Sequence, residues 1–431
     1  MPTASTSFLD ELSWRGLLYQ QTDGLAAHLA KAPVVAYCGF DPTAPSLHIG
    51  NLVPAMLLVH AARAGHRAIA LVGGGTAMIG DPSGKSEERP LSSTGTIDAN
   101  AARIHAQLER LFRSAGTTGV AMVNNADWLR EMRMIDFMRD VGKHFPINYM
   151  LAKDSVQSRL ETGISYTEFS YMLLQAFDFL QLYRSEGVTL QVGGTDQWGN
   201  ITAGMELVRR AGGGEAHVLT APLVTTSSGK KFGKSESNAV WLDPELTSPY
   251  QFYQFWVNTE DADVGRYLRM FTFRSQAEIA GIEAAHAAAP HERRAQRELA
   301  RDVTSMLHGV DAARVALEVS RVIFEKKANP VAIDDYIYET LAAEIPGAEY
   351  PDATELNVLD LLEDAFSLSR SAGRKLVQQG GITVNGRKLT GDELTVPLEN
   401  AVRGRWFLVR KGGRDIALAE IGGRRATAPR L

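Results

Sequence analysis

The sequence predicts an α/β fold: a doubly wound parallel sheet, then an all-helical region, then a small α+β domain. Three observations predict it. Apolar runs of strand length at 34–38, 67–72, 120–124, 187–192 and 217–221 alternate with loops and stretches of helical periodicity, which is the pattern of a parallel sheet. From Ser248 to about Phe324 only helical periodicity is present. Beyond Pro346 and Pro351, two short helical patterns precede an Asn385-Gly386 pair flanked by strand-like triplets, a strong hairpin signal.

In chain order, residues 1–33 read as helix, with Phe8, Leu9, Leu12, Leu17 and Leu18 on one stripe. The first strand ends at Gly39 in a loop holding Pro42 and Pro45. Ser46 is expected to cap a helix that starts near His48 and runs past Val59. His48, Gly50 and Asn51 thus stand at a helix N-terminus beyond the carboxyl end of a strand, where doubly wound sheets bind ligands and phosphate meets free N–H groups. The strand at 67–72 runs into Gly73-Gly74-Gly75 and then Ile79-Gly80-Asp81-Pro82-Ser83-Gly84-Lys85-Ser86. That loop is not a P-loop, because Ile79 stands where the first glycine must be. It is not a dinucleotide fingerprint either, because Met78 replaces the last glycine. It still carries one carboxylate, Asp81, and two cations, Lys85 and Arg89.

A helix at 98–116, a strand at 120–124 and a helix at 128–141 capped by Asp127 follow. An unpatterned stretch at 142–163 reads as an insertion or an oligomer surface. Ser165 and Glu168 form a capping-box pattern before a helix at 169–182. After the strand at 187–192, Gly193-Gly194-Thr195-Asp196-Gln197-Trp198-Gly199 turns into another helix. Beyond the last strand, 225–235 (TTSSGKKFGKS) is polar, basic and short of apolar anchors, so a mobile loop is expected. Ser248-Pro249-x-Gln251 then opens the helical region. The expected boundaries are 1–224 with an insertion about 125–165, the loop 225–245, a helical domain 246–328, a linker 329–356 and a basic domain 357–431.

Composition bounds the function. No run approaches the ~20 apolar residues of a membrane span, and the N-terminal MPTASTSFLDELSWRG has no signal-peptide pattern. One cysteine, Cys38, excludes an internal disulfide and a cysteine zinc cluster, and a reducing cytoplasm is expected. The net charge of −5 is uneven: residues 357–431 carry 13 Lys/Arg against 8 Asp/Glu, so about +5, and the rest carries about −10. A basic tail on an acidic body suggests that one end contacts a polyanion. Arg370, Arg374, Lys375, Arg387 and Lys388 cluster there.

HIG after the first strand, with KFGKS about 180 residues later, resembles the HIGH and KMSKS signatures of class I aminoacyl-tRNA synthetases. Asn51 replaces the second His, and Phe232-Gly233 replaces Met-Ser. YCGFDPTAPSLHIGN, IGDPSGKS, YMLLQAFDF, QVGGTDQWGN and KFGKS, in this order, resemble the bacterial tyrosyl-tRNA synthetase family over essentially the whole chain. The resemblance implies a Rossmann-like catalytic domain, a helical anticodon-binding-type domain and a small RNA-binding domain of ribosomal-protein type. It implies L-tyrosine, ATP with Mg²⁺ and tRNA(Tyr) as substrates and a homodimer, with no tightly bound cofactor, no protein metal site and no membrane.

The resemblance also implies roles. Thr43 and His48 would hold the γ-phosphate, and Lys85, Arg89, Lys231 and Lys234, with Ser235, the leaving pyrophosphate. Cys38, Gly39, Gly50, Asn51, Gly194 and Asp196 would bind adenosine. Asp81, Tyr171 and Gln175 would hold the ammonium, with Asp41 and Gln197 nearby. Tyr37 and Asp178 would bind the phenol hydroxyl. The first step suits these types: a carboxylate is ionised at neutral pH and needs no general base, so orientation and cations are what the reaction requires. A tryptophan-activating relative fits less well, since an indole N–H has no use for a hydroxyl-binding pair. An RNA-binding scaffold with a second role is the alternative of another class.

Overall fold

Six strands form the central sheet: β1 (Gln20–Gln21), β2 (Val35–Phe40), β3 (Arg67–Val72), β4 (Ala121–Asn124), β5 (Val188–Gly194) and β6 (His217–Ala221). Their order is β1-β6-β5-β2-β3-β4, parallel throughout except the β1–β6 edge pair. β2 lies between β3 and β5, so the winding reverses beside it, and a crevice opens at the carboxyl ends of β2 and β5. The structure is a computed structural model describing residues 7–83, 91–117, 119–157, 159, 163–229, 232–233, 239–325, 333–413 and 415–422.

The parallel strands read as unbroken apolar runs because both faces are covered. Tyr37, Ile69, Leu71, Met172, Phe179, Ile201, Leu207 and Val218 share one core. Helices Tyr166–Glu186 and Trp198–Leu207 cross closely there. A Cβ on Gly204 would sit 3.1 Å from the Phe179 ring.

The N-terminal segment differs from the expected single helix. Gly16, at φ 71°, ends a helix at Arg15, and the chain then forms edge strand β1 and a short helix Leu25–Leu29. Arg15 is buried and donates to the carbonyls of Arg269 and Thr272, at 2.8 and 2.7 Å, at the end of helix Asp261–Phe271. A cation there satisfies orphan carbonyls and the negative end of the helix dipole. The helix expected at 128–141 is two pieces, Ala126–Leu129 and Met134–Asp140, and the residue before the first is Asn125, not Asp127. Ser165 caps Tyr166–Glu186 as the sequence indicates, while the Glu168 carboxylate makes a buried ion pair with Arg159 at 3.0 Å.

The chain divides into two units, Met1–Gly309 and Val310–Leu431. Helices Pro249–Val257, Asp261–Phe271, Gln276–Ala288 and Arg294–His308 complete the first. Gly309, at φ 90°, follows the last of these, and helix Val310–Phe324 belongs to the second unit. The second unit packs helices Val358–Phe366 and Arg370–Gln378 on a five-stranded sheet around Leu361, Leu362, Val377, Val384, Phe407 and Val409. Its hairpin turns through Asn385 and Gly386, both at positive φ, with Val384 paired to Arg387. Among the described residues, no helix is long and apolar enough to cross a membrane.

Candidate active site

The crevice is organised around a carboxylate. Asp178 is buried on helix Tyr166–Glu186, and burial pushes its carboxyl up to about 8. Two N–H donors oppose that shift: Trp128 Nε1 to Oδ1 at 2.8 Å, and Asn125 Nδ2 to Oδ2 at 2.9 Å. Asn125 is fully buried; its Nδ2 also reaches the Thr76 hydroxyl at 2.9 Å. Thr76 donates to Asp41 Oδ1 at 2.8 Å, and Tyr171 donates to Asp41 Oδ2 at 2.7 Å. One polar chain therefore runs from Tyr171 through Asp41, Thr76 and Asn125 to Asp178 and Trp128.

The three glycines after β3 exist for this chain. Gly74 and Gly75 donate their N–H groups to the side chains of Asn124 and Asn125. A Cβ on Gly73 would fall 1.9 Å from Asp41 Oδ1, and one on Gly74 2.5 Å from Asn124 Oδ1. The run is a close backbone approach to side-chain carboxamides and a carboxylate, not a phosphate nest.

Tyr37, on β2, is buried edge-on to Phe179 with ring centroids 5.3 Å apart, and its hydroxyl has no partner among the described residues. Burial, then the charge of Asp178, raises its pKa well above the ordinary tyrosine value. Gln175 Oε1 is likewise buried without a partner among the described residues. Tyr171, Gln175 and Asp178 are spaced to share one helix face. The Tyr171 hydroxyl is raised first by burial and then by the carboxyl groups of Asp41, Asp81 and Asp178. Asp81 accepts from Gln197 at 2.6 Å, from the Ser83 N–H at 2.9 Å and from Asn200 at 3.3 Å. A crevice with unpaired neutral groups and converging carboxylates suits a ligand with a hydroxyl at one end and a cation at the other.

At the other side of β2, His48 caps its own helix turn. Ring Nδ1 accepts from Gly50 N–H at 3.0 Å, and Asn51 Oδ1 accepts from the His48 N–H at 3.0 Å. The neutral ring then carries its proton on Nε2, on an exposed side chain. Ser46, expected as the cap, instead bonds Leu47 O and Gln107 and accepts from Asp243 N–H. Thr43 is exposed in the loop after β2. Cys38 is buried, its thiol pushed up to about 12 by burial and then by Asp196. Gly39 is the next-to-last residue of β2, and Gly194 is the last of β5.

The expected mobile loop has an apolar anchor. Phe232 is buried, stacked on Phe271 at 5.4 Å and set against Phe255, Trp256 and Tyr267. Gly233, at φ 82°, lies so close to the HIG turn that a Cβ there would meet Ile49 at 2.5 Å. Val240 N–H returns to Gly233 O, and Ile49 N–H to Val240 O. Lys85, Arg89, Lys231, Lys234 and Ser235 lie outside the described residues.

Sequence reasoning missed Thr76, Asn125, Trp128 and Asn200. Their signal is only a polar residue just past the carboxyl end of a buried strand, or one turn into the next helix. In the second unit, Arg374, Lys375 and Lys388 are exposed, while Arg370 pairs with Asp360 and Arg387 with Glu393.

The family described as tRNA synthetases class I (W and Y) matches residues 29–325, and a tyrosine--tRNA ligase SYY-like C-terminal domain matches residues 338–419. A tyrosine--tRNA ligase of Anaeromyxobacter dehalogenans is 50% identical over 418 residues, covering 96% of this chain and 99% of that one. One of Geobacillus stearothermophilus is 49% identical over 416 residues, covering 95% and 98%. A C-terminally truncated mitochondrial tyrosyl-tRNA synthetase of Aspergillus nidulans superposes with a TM-score of 0.68 at 34% identity, covering 74% of this chain and 94% of that one.

Asp178 sets a pH dependence. Its folded carboxyl titrates near 8 against an ordinary 3.8, so the folded form holds a proton that the unfolded form has lost between those values. The stability this contributes is present below about 4 and lost as pH rises to about 8. Melting temperatures of wild type and Asp178→Asn, taken across that window, should show the wild type losing ground steadily; a constant gap would mean the carboxyl is ionised throughout.

Proposed function

The chain belongs to the class I (W and Y) tRNA synthetase family, and from that premise we propose which residues carry out its reaction. Its function is that of a tyrosine--tRNA ligase. Tyrosine is joined to the α-phosphorus of ATP with expulsion of pyrophosphate. A ribose hydroxyl at the tRNA 3′ end then attacks the aminoacyl carbonyl and releases AMP.

The observation that carries the assignment of the amino-acid pocket is the buried, unpartnered Tyr37 hydroxyl beside an Asp178 whose two oxygens are already held by Asn125 and Trp128. A phenol hydroxyl donates to Asp178 and accepts from Tyr37. Tyr171, Gln175 and Asp81 receive the ammonium, with Asp41 and Gln197 orienting them. The Asp41 carboxyl bonded to Tyr171 and the Asp81 carboxyl bonded to Gln197 supply acceptors that an ammonium needs. The pair also favours tyrosine over tryptophan, which lacks the acceptor.

The tyrosine carboxylate attacks the α-phosphorus, and the bond to the bridging oxygen breaks. Charge grows on the β- and γ-phosphates. His48 Nε2–H and Thr43 face that charge. Lys85, Arg89, Lys231, Lys234 and Ser235 complete the clamp, the last three carried by the loop that Phe232 anchors and Gly233 lays against Ile49. Cys38, Gly39, Gly50, Asn51, Gly194 and Asp196 receive adenosine. Magnesium enters with ATP as part of that substrate. The reaction belongs in the cytoplasm, where tRNA is charged.

Two partners follow. Met134, Ile135, Ile147 and Tyr166 are exposed apolar side chains near one another in sequence, Ile135 at 72% exposure, and such a group suits a homodimer interface. The exposed Arg374, Lys375 and Lys388 suit the tRNA backbone.

Three measurements test these readings. In pyrophosphate exchange, Tyr37→Phe should lower kcat/KM for tyrosine and narrow the gap to phenylalanine, since the unpaired groups that phenylalanine leaves cost about 1–3 kcal/mol each. An unchanged ratio would move the hydroxyl site elsewhere. Ile135→Asp should sediment as a monomer if that face is the dimer interface. Arg374→Glu combined with Lys375→Glu should leave exchange intact and reduce the salt dependence of tRNA binding by about two in slope. An unaltered slope would remove that surface from the tRNA path.

A further inference from the structure

At the amino ends of β5 and β6, the opposite end of the sheet from the crevice, two imidazoles face one another. His217 opens β6 and is buried; His28 lies in helix Leu25–Leu29 and is partly buried. Their rings sit 4.6 Å apart at 42°. His28 Nδ1 and His217 Nε2 are both buried with no hydrogen-bond partner among the described residues. Glu215 reaches between them, with Oε1 3.3 Å from His217 Nε2 and Oε2 3.9 Å from His28 Nδ1. One ligand atom from each of the three residues lies within 4.8 Å of the other two.

The far nitrogen of each ring meets a threonine. His28 Nε2 lies 2.9 Å from the Thr189 hydroxyl, and His217 Nδ1 lies 3.4 Å from the Thr22 hydroxyl, which accepts from Val218 N–H at 3.0 Å. With Nε2–H of His28 and Nδ1–H of His217 donating to these oxygens, both inner nitrogens present lone pairs. Outer hydrogen bonds that fix the tautomer are how metal-binding histidines are held.

We propose that His28, His217 and Glu215 form a binding site for a first-row divalent transition ion of the zinc type, with water as the fourth ligand. Imidazole with carboxylate is a donor set for zinc, copper or nickel rather than magnesium or calcium. Tetrahedral bonds of about 2.0–2.2 Å require donor separations near 3.4 Å. Two imidazole nitrogens and a carboxylate oxygen within 4.8 Å of one another reach that when the two rings and the exposed Glu215 draw inward. Lys31, 3.8 Å from Glu215 Oε2 and exposed, is the group that the ion displaces. The bound ion ties helix Leu25–Leu29 to β6, and with it the short antiparallel edge strand β1. Its effect is on stability, away from the adenylation chemistry.

The test is titration of the full metal-stripped chain with Co²⁺, followed by visible d–d absorption, then displacement by Zn²⁺, with melting curves in parallel. One cobalt per chain, displaced by zinc, and a rise in melting temperature with micromolar zinc are expected. Glu215→Gln, an exposed and fold-tolerant change, should weaken binding by about tenfold or more, and His28→Ala should abolish the cobalt bands. Pyrophosphate exchange should be unchanged in both. No binding at micromolar metal, or binding undiminished in both variants, would overturn the site and leave the cluster a histidine–glutamate ion pair.

Discussion

The buried carboxyl of Asp178 is the constraint on which the crevice depends. Removing a carboxylate from water is costly, and the structure offsets that cost with two aimed N–H donors, from Asn125 and Trp128. Those donors exist only because the chain turns abruptly at Asn125 after β4. The turn is held by the N–H groups of Gly74 and Gly75, so the glycine run after β3 and the short helix after β4 form one arrangement. Thr76 extends it to Asp41 and Tyr171. Because the members share partners, their substitutions should not add independently.

The two signature segments are joined by a different device. HIG closes on itself through the His48–Asn51 capping box, and the segment after KFGKS returns to pair backbone with it at Ile49. Phe232 fastens one side of the loop into aromatic packing, and Gly233 permits the close pass over Ile49. The replacement of Met-Ser by Phe-Gly thus has a physical reading: a large ring for anchorage, and no Cβ where φ is positive and a neighbour stands 2.5 Å away.

Much of the fold was legible from residue order. Five parallel strands, the helices between them, the Pro249 helix start and the Asn385-Gly386 hairpin follow from periodicity, capping and turn chemistry, all local properties. The N-terminal region was misread as one helix because Leu12 and Leu17 fit a stripe, whereas the left-handed turn at Gly16 separates them. The 225–235 loop was misread as lacking an anchor because one Phe among Gly, Ser and Lys carries no periodic signal; its partners are 23 to 39 residues away, on two other helices.

The candidate site divides in the same way. The sequence by itself determined the types of group at the crevice: a histidine on a helix N-terminus, carboxylates past strand ends, and Tyr171, Gln175 and Asp178 on one helical face. These are set by spacing along a single element. Only the tertiary structure decided which groups complete them. Asn125 lies 53 residues from Asp178 and Thr76 lies 35 from Asp41, so no local pattern couples them. His28 and His217 are separated by most of the sheet's sequence and meet only because β1 folds back antiparallel onto β6. A hydrogen bond or a metal cage is short-ranged in space and blind to separation along the chain. Its members can be read only once the sheet order has brought them together.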